Sequence, residues 1–453
     1  MPYDMRSPKA RDFINHAEIM DTLKWAEENK GNASLIREIF DKAYENTGLS
    51  HREAALLLLG AESHELFALA GKIKQEFYGS RVVLFAPLYL SNHCVNGCTY
   101  CPYAAGNEAM LRKQLSQDEI RREVIALQDM GHKRIVIEAG EHPDFSPIEY
   151  ILESMDTIYN SGDIRRINVN IAATTAEDYS KLKAAGIGTY ILFQETYHEA
   201  TYESLHPSGP KADFAWHTEA MDRAMQGGLD DVGIGALFGL ADYSYELVAM
   251  LMHSEHLEAA YGVGPHTISV PRLRGTAISD ETFARIVACL RISAPYTGII
   301  VSTRENQTVR RKVLDAGVSQ ISGGSCTSVG GYGRSAKGSE QFETSDKRSL
   351  GEIVHWLLDI GYIPSFCTAC YREGRVGERF MELCKSGQIQ NCCQPNALMS
   401  LQEYLIDYAD APSKLVGEKL LASEMSKLSS DKTRAFVSQC LEQIKEGRRD
   451  CRL

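Results

Sequence analysis

Six of the twelve cysteines in this 453-residue chain fall into two tight groups, and thiolates crowded onto short loops suit iron–sulfur or zinc chemistry. The first group, in SNHCVNGCTYCPY, sets Cys94, Cys98 and Cys101 at C-x3-C-x2-C. Three thiolates on one loop can hold three irons of a cubane cluster and leave the fourth iron an open coordination site. A structural zinc would want a fourth protein ligand. His93 is a candidate for it, but its place beside Cys94 is expected to turn the ring away from the loop interior. The second group, in YIPSFCTACYREGRVGERF and GQIQNCCQP, reads Cys367-x2-Cys370-x22-Cys393, with Cys392 offering an alternative register at x21. Spacing alone leaves this group open between an iron–sulfur site and a zinc knuckle closed by Cys384 or Cys392. Cys289, Cys326, Cys384, Cys392, Cys440 and Cys451 are scattered and read as ordinary buried or surface thiols.

Regular elements must position these groups. From residue 81, short β-branched or wholly apolar runs alternate with amphipathic stretches, which is how parallel βαβ units read. The strand candidates are 81–90, 133–140, 165–172, 189–195, 231–238, 266–272, 298–305 and 318–324. Ser116 with Glu119, and Ser349 with Glu352, are capping-box signatures for helices between and after them. Eight strand–helix pairs predict an α/β fold, a (β/α)8 TIM-type barrel. A doubly wound sheet fits less well, because its glycine-rich loop is missing after the first strand. Cys94 follows that strand, which puts it at the C-terminal mouth where barrel enzymes carry their chemistry. Residues 1–80 predict an N-terminal helical extension, with Ser50 and Glu53 as a further capping box, and 81–360 the barrel. Residues 361–453 predict a C-terminal cysteine-rich, mostly helical domain. GGYGRSAKGSE (330–340) reads as a flexible surface loop.

Composition narrows the partners. A net charge of -12 argues against nucleic acid, whose binding rests on neutralising phosphates. The N-terminal residues hold no apolar signal core, and the longest apolar run, Ala54 to Leu59, is far too short to span a bilayer. The expectation is a soluble, cytoplasmic protein without a membrane partner, whose cysteines stay reduced and free for metal or redox chemistry.

The C-x3-C-x2-C loop after the first strand resembles that of the radical S-adenosylmethionine (SAM) superfamily. There the unique iron chelates the amine and carboxylate of SAM, and reduction of the sulfonium yields a 5′-deoxyadenosyl radical. The resemblance puts Tyr100 at the adenine, and makes Glu138-Ala139-Gly140-Glu141 the counterpart of the Gly-Gly-Glu element that meets the methionine amine, with Ala139 replacing its first glycine. Gly233 and Gly235 resemble the adenine-side glycine element, although strand glycines often mark only close packing.

The C-x2-C-x22-C ending resembles the HydG family of [FeFe]-hydrogenase maturases, which are tyrosine lyases. FAPLYLSNHCVNGC, HKRIVIEAGE, NVNIAATT, GTYILFQETYH, GVGPHTISVPRLR, STRE, CTACYREGR and LIDYAD carry the likeness through nearly the whole chain. It implies a first [4Fe-4S] cluster with SAM. It also implies an auxiliary [4Fe-4S] cluster on Cys367, Cys370 and Cys393, bridged through a free cysteine to one further iron that His266 ligates. The implied reaction cleaves L-tyrosine to 4-cresol and dehydroglycine and converts the latter to CO and cyanide. Its product is an Fe(CO)2(CN)-cysteine unit for the hydrogenase cluster. Implied partners are L-tyrosine, a low-potential electron donor such as flavodoxin or ferredoxin, and other hydrogenase maturation proteins. His266 starts a strand whereas Cys94 follows the end of one, so the two sites are expected at opposite mouths, joined by a tunnel on the order of 20 Å long. The tyrosine carboxylate needs a guanidinium, for which Arg304 in STRE is the choice, with Ser322 as a second donor. After Arg274 the chain runs directly through GTAISDETF, where family members carry a longer insertion. Two other readings stand beside this one: a tyrosine lyase for thiamine thiazole synthesis, and a non-catalytic zinc-binding adaptor.

Overall fold

The computed structural model describes residues 3–333 and 338–453. Eight parallel strands run β1 (Arg81–Ser91), β2 (Arg134–Ala139), β3 (Arg166–Asn170), β4 (Tyr190–Ile191), β5 (Val232–Gly235), β6 (Thr267–Ser269), β7 (Gly298–Val301) and β8 (Gln320–Ser322). Each pairs with the next, and β1 pairs with both β2 and β8, so the sheet closes into the expected barrel. Along β1, Leu84, Ala86 and Leu88 are buried on one face, while Phe85, Pro87 and Tyr89 line the barrel cavity on the other. Burial on both faces is why the run is apolar without alternation.

Several strands are shorter than the sequence reading, among them β6, β7 and β8, and two further details differ. A ninth strand, β9 (Ile363–Ser365), lies parallel to the start of β1, with Arg81 opposite Ile363 and Val83 opposite Ser365. Three residues centred on Pro364 carry no periodicity to detect. Residues 189–195 read as one strand, yet β4 is only two residues long. Beyond it the chain still tracks β5, with Leu192 N–H donating to Gly233 O (3.0 Å) and Gln194 N–H to Gly235 O (2.8 Å). The track ends at Glu195, whose φ of 69° lies in the left-handed region.

All three capping boxes form, each serine accepting from the backbone of its glutamate and each glutamate accepting from the backbone of its serine. The N-terminal helices pack on two outer barrel helices, Tyr243–Tyr261 and Asp280–Ser293. Helix Gln390–Asp407, which carries Cys392 and Cys393 in its first turn, packs on β9 and on helices Ala411–Ser426 and Asp431–Lys445. The loop expected to be flexible, 330–340, lies partly outside the described residues, at 334–337. Its described flanks are tied down, with Tyr332 and Gly333 N–H groups both donating to Glu123 at 2.8 Å and Tyr103 donating to Ser339 O. Among the described residues no helix is long and apolar enough to cross a membrane.

Candidate active site

The loop after β1 is stitched to its surroundings by backbone hydrogen bonds. Val95 N–H donates to Glu141 O (2.8 Å), Gly97 N–H to Ser208 O (3.0 Å) and Thr99 N–H to Leu205 O (3.0 Å). Gly140 is required here, because a Cβ would stand 2.4 Å from His93 O and 3.2 Å from Cys94 Cβ. Asn96 works as a hub. Its amide donates to Glu141 Oε2 (2.6 Å) and Cys94 Sγ (3.6 Å), and its Oδ1 accepts from Lys211 N–H (2.9 Å). The His93 ring stacks on Phe145 with centroids 3.8 Å apart and does not join the cysteines.

Cys94, Cys98 and Cys101 line a cavity of about 440 Å³ at the strand-end mouth, together with Tyr100, Ala139, Gly140, Glu141, Arg304 and Ser322. That volume lies within the ordinary range for small-molecule sites. Gly233 and Gly235 are not in the lining. A Cβ on Gly233 would meet Thr267 Oγ1 at 2.5 Å, and one on Gly235 would meet Ser269 O at 2.7 Å, so both permit close strand packing. Tyr100 Oη lies 2.9 Å from His206 Nε2, and His206 Nδ1 lies 2.7 Å from the Tyr202 carbonyl. The carbonyl only accepts, so Nδ1 carries the proton and Nε2 accepts from the tyrosine. Burial pushes the Cys98 thiol up to about 12 and Cys101 to about 11, as expected of sulfurs that ionise only when a metal takes them.

Arg304 stacks its guanidinium on Phe342, 3.7 Å from the ring centroid, and among the described residues its guanidinium has no carboxylate partner. Burial holds its pKa below the usual arginine value. Ser322 Oγ accepts from Thr303 N–H (3.1 Å), which leaves its hydroxyl proton free to donate. Of the cavity's ionisable residues, Lys211 and Glu195 were not singled out in the sequence, and Glu138 stood there in a motif without a role of its own. Lys211 donates to Glu195 Oε1 (2.9 Å) beside the cysteine loop, and Glu138 has its carboxyl pushed up to about 7 by burial, against the pull of Arg304 and Tyr89.

The second group assembles at the opposite, strand-start mouth. Cys367 follows β9, and its carbonyl accepts from Arg134 at the start of β2 (2.7 Å). Cys370 and Cys393 meet through their sulfurs. Between Cys370 and His266 stands Tyr371, whose hydroxyl lies 3.2 Å from His266 Nε2 and whose ring lies 3.0 Å from the Arg166 guanidinium. His266 Nδ1 faces Asp231 Oδ1 at 3.4 Å and has no well-formed hydrogen bond. Burial lowers the pKa of Arg134 and brings Arg166 to about 9; neither forms an ion pair among the described residues, and Arg134 Nε is buried without a partner. Two unpaired buried cations beside three cysteines suit a thiolate-held cluster, which is anionic. Among the described residues no three Cys, His, Asp or Glu side chains converge on one ion.

With this geometry in hand, comparison with known proteins places the chain. The model of the radical SAM superfamily matches residues 88–253, and that of the biotin and thiamin synthesis associated domain matches residues 267–363. The chain is 31% identical to the 2-iminoacetate synthase of Escherichia coli (strain K12), over 75% of this chain and 92% of that protein. It is 26% identical to the [FeFe] hydrogenase maturase subunit HydE of Thermotoga maritima, over 52% of this chain and 68% of that one. A crystal structure of HydG, a maturase of the [FeFe]-hydrogenase, superposes with a TM-score of 0.94 at 51% identity, covering 98% of this chain and 100% of that one. HydG from Carboxydothermus hydrogenoformans gives 0.84 at 40% identity, covering 95% and 99%. The two HydG structures account for nearly the whole length, where the synthase leaves a quarter of it unmatched, so the chain belongs to the radical SAM superfamily and, within it, to the HydG family.

Proposed function

We propose that this protein is a radical SAM tyrosine lyase that makes 4-cresol and dehydroglycine at the strand-end mouth. At the strand-start mouth it turns dehydroglycine into CO and cyanide, building an Fe(CO)2(CN)-cysteine unit for [FeFe]-hydrogenase. What carries the reading is the separation of the cysteine sets. Cys94, Cys98 and Cys101 follow the end of β1, whereas Cys367, Cys370, Cys393 and His266 gather where the strands begin. A one-step tyrosine lyase for thiamine synthesis gives no reason for the second gathering.

In this reading Cys94, Cys98 and Cys101 would hold a [4Fe-4S] cluster, which with SAM would supply the hydrogen-abstracting radical. Tyr100, Ala139, Gly140 and Glu141 border the SAM position. Arg304 pairs with the tyrosine carboxylate and, braced on Phe342, sets where the amino group stands. Ser322 donates to the same carboxylate. Such radical chemistry requires water and oxidants to be excluded from the site. At the other mouth Cys367, Cys370 and Cys393 would hold the auxiliary cluster, and His266, whose Nε2 lies 3.2 Å from the Tyr371 hydroxyl, would ligate the additional iron.

Arg304→Lys keeps the charge and loses the planar fork, at a cost of about 2 kcal/mol, or a roughly 30-fold rise in the apparent KM for tyrosine. SAM cleavage without tyrosine stays intact. A KM within a factor of two of wild type rejects the assignment. The function is tested by anaerobic incubation with tyrosine, SAM and dithionite, assaying 4-cresol, CO and cyanide together. All three are expected, and cresol without the diatomics would return the protein to the thiamine-type reading.

A further inference from the structure

Residues 450–453 lie across the segment that bears the second cysteine set. Asp450, with φ of 58°, turns the chain back on itself, and its N–H donates to Glu403 Oε2 (2.8 Å), a carboxylate 4% exposed that also pairs with Arg165. Cys451 packs against the core and meets Cys440 of the last helix. Leu453 then makes a two-way amide pair with Asn396, three residues past Cys393. Its N–H donates to Asn396 Oδ1 (2.8 Å), and Asn396 Nδ2 donates to Leu453 O (3.3 Å). The same Leu453 oxygen accepts from Arg375 (2.6 Å). Arg375 closes the cysteine loop from the other side, because its N–H donates to Cys370 O (2.7 Å). Arg372 pairs with Asp450, and Arg452 with Glu373 (2.6 Å), tying the two segments along their exposed edges.

We propose that residues 450–453 form a clasp that positions Arg375 against Cys370 and fixes the Cys370 loop to the helix of Cys393, so that the three sulfurs are set for the auxiliary cluster before it binds. The clasp rests on the reading of Cys367, Cys370 and Cys393 as cluster ligands. Its strength comes from the buried partners, Asn396 at 2% exposure and Glu403, since exposed ion pairs such as Arg452 with Glu373 contribute little. Arg375 and Asn396 are positioning residues. Restraint of a ligand loop sets how firmly a cluster is kept.

Two variants test this, a chain ending after Arg449 and Asn396→Ala in the full chain, which guards against misfolding of the first. In the metal-free proteins, amide hydrogen exchange at 367–375 is expected to rise at least tenfold in both variants, with exchange in β1 to β8 unchanged. After anaerobic reconstitution, a chelator should strip the iron above about four per chain 10- to 100-fold faster than in wild type. Cresol formation should hold, while CO and cyanide fall. Arg375→Lys should retain more of that iron than Arg375→Ala. Equal exchange at 367–375 in wild type and both variants would overturn the clasp. Wild-type protein that itself keeps only about four irons would overturn the two-cluster reading instead, leaving the exchange result to judge the clasp.

Discussion

Alanine in place of Cys94, Cys98 or Cys101 is expected to abolish reductive cleavage of SAM, and with it every product. Each of these cysteines lines the cavity, and the adjacent His93 is stacked on Phe145. Two thiolates cannot hold a cubane in a site built for three. Because enzymatic acceleration is commonly a millionfold or more, the loss should be at least about a thousandfold and reach the protein-free background. The assay is 5′-deoxyadenosine formed from SAM and dithionite under strictly anaerobic conditions. Any of the three variants that still cleaves SAM at a tenth of the wild-type rate refutes the assignment.

Replacing Cys367, Cys370 or Cys393 has the opposite selectivity. The second group lies at the strand starts and takes no part in lining the upper cavity, so 4-cresol should form at a rate within about threefold of wild type. CO and cyanide should disappear, and iron should fall from about nine per chain to about four, the content of a single cubane. Cys392→Ala should leave both iron and diatomics unchanged, because it is Cys393 that meets Cys370. Loss of cresol in parallel with CO would mean that the two mouths are one functional unit.

How much of this was legible beforehand depends on distance along the chain. Cys94, Cys98 and Cys101 sit within eight residues of one another, so their gathering at one cavity was legible from local spacing. The barrel was readable because strands buried on both faces leave apolar runs, and three helix starts were readable from capping boxes that all form. Arg134, Arg166, Tyr371 and Lys211 were not. Each matters only through what the closed barrel brings beside it, as when Arg166 of β3 covers the ring of Tyr371 two hundred residues on. Glu138 stood in the quoted motif without a role, since the burial that raises its carboxyl to about 7 exists only in the fold. The two glycines of β5 illustrate the reverse case, where the residues matched a binding element and the structure gives them a packing reason.

The central physical claim is that three sulfurs at the strand-end mouth leave one iron open for SAM. Protein carrying Cys367→Ala, Cys370→Ala and Cys393→Ala together isolates that cluster, and electron paramagnetic resonance of the dithionite-reduced form with and without SAM reads its open corner. At about four irons per chain, the account predicts that SAM shifts the spectrum of the reduced cluster. Superimposable spectra at saturating SAM would contradict it.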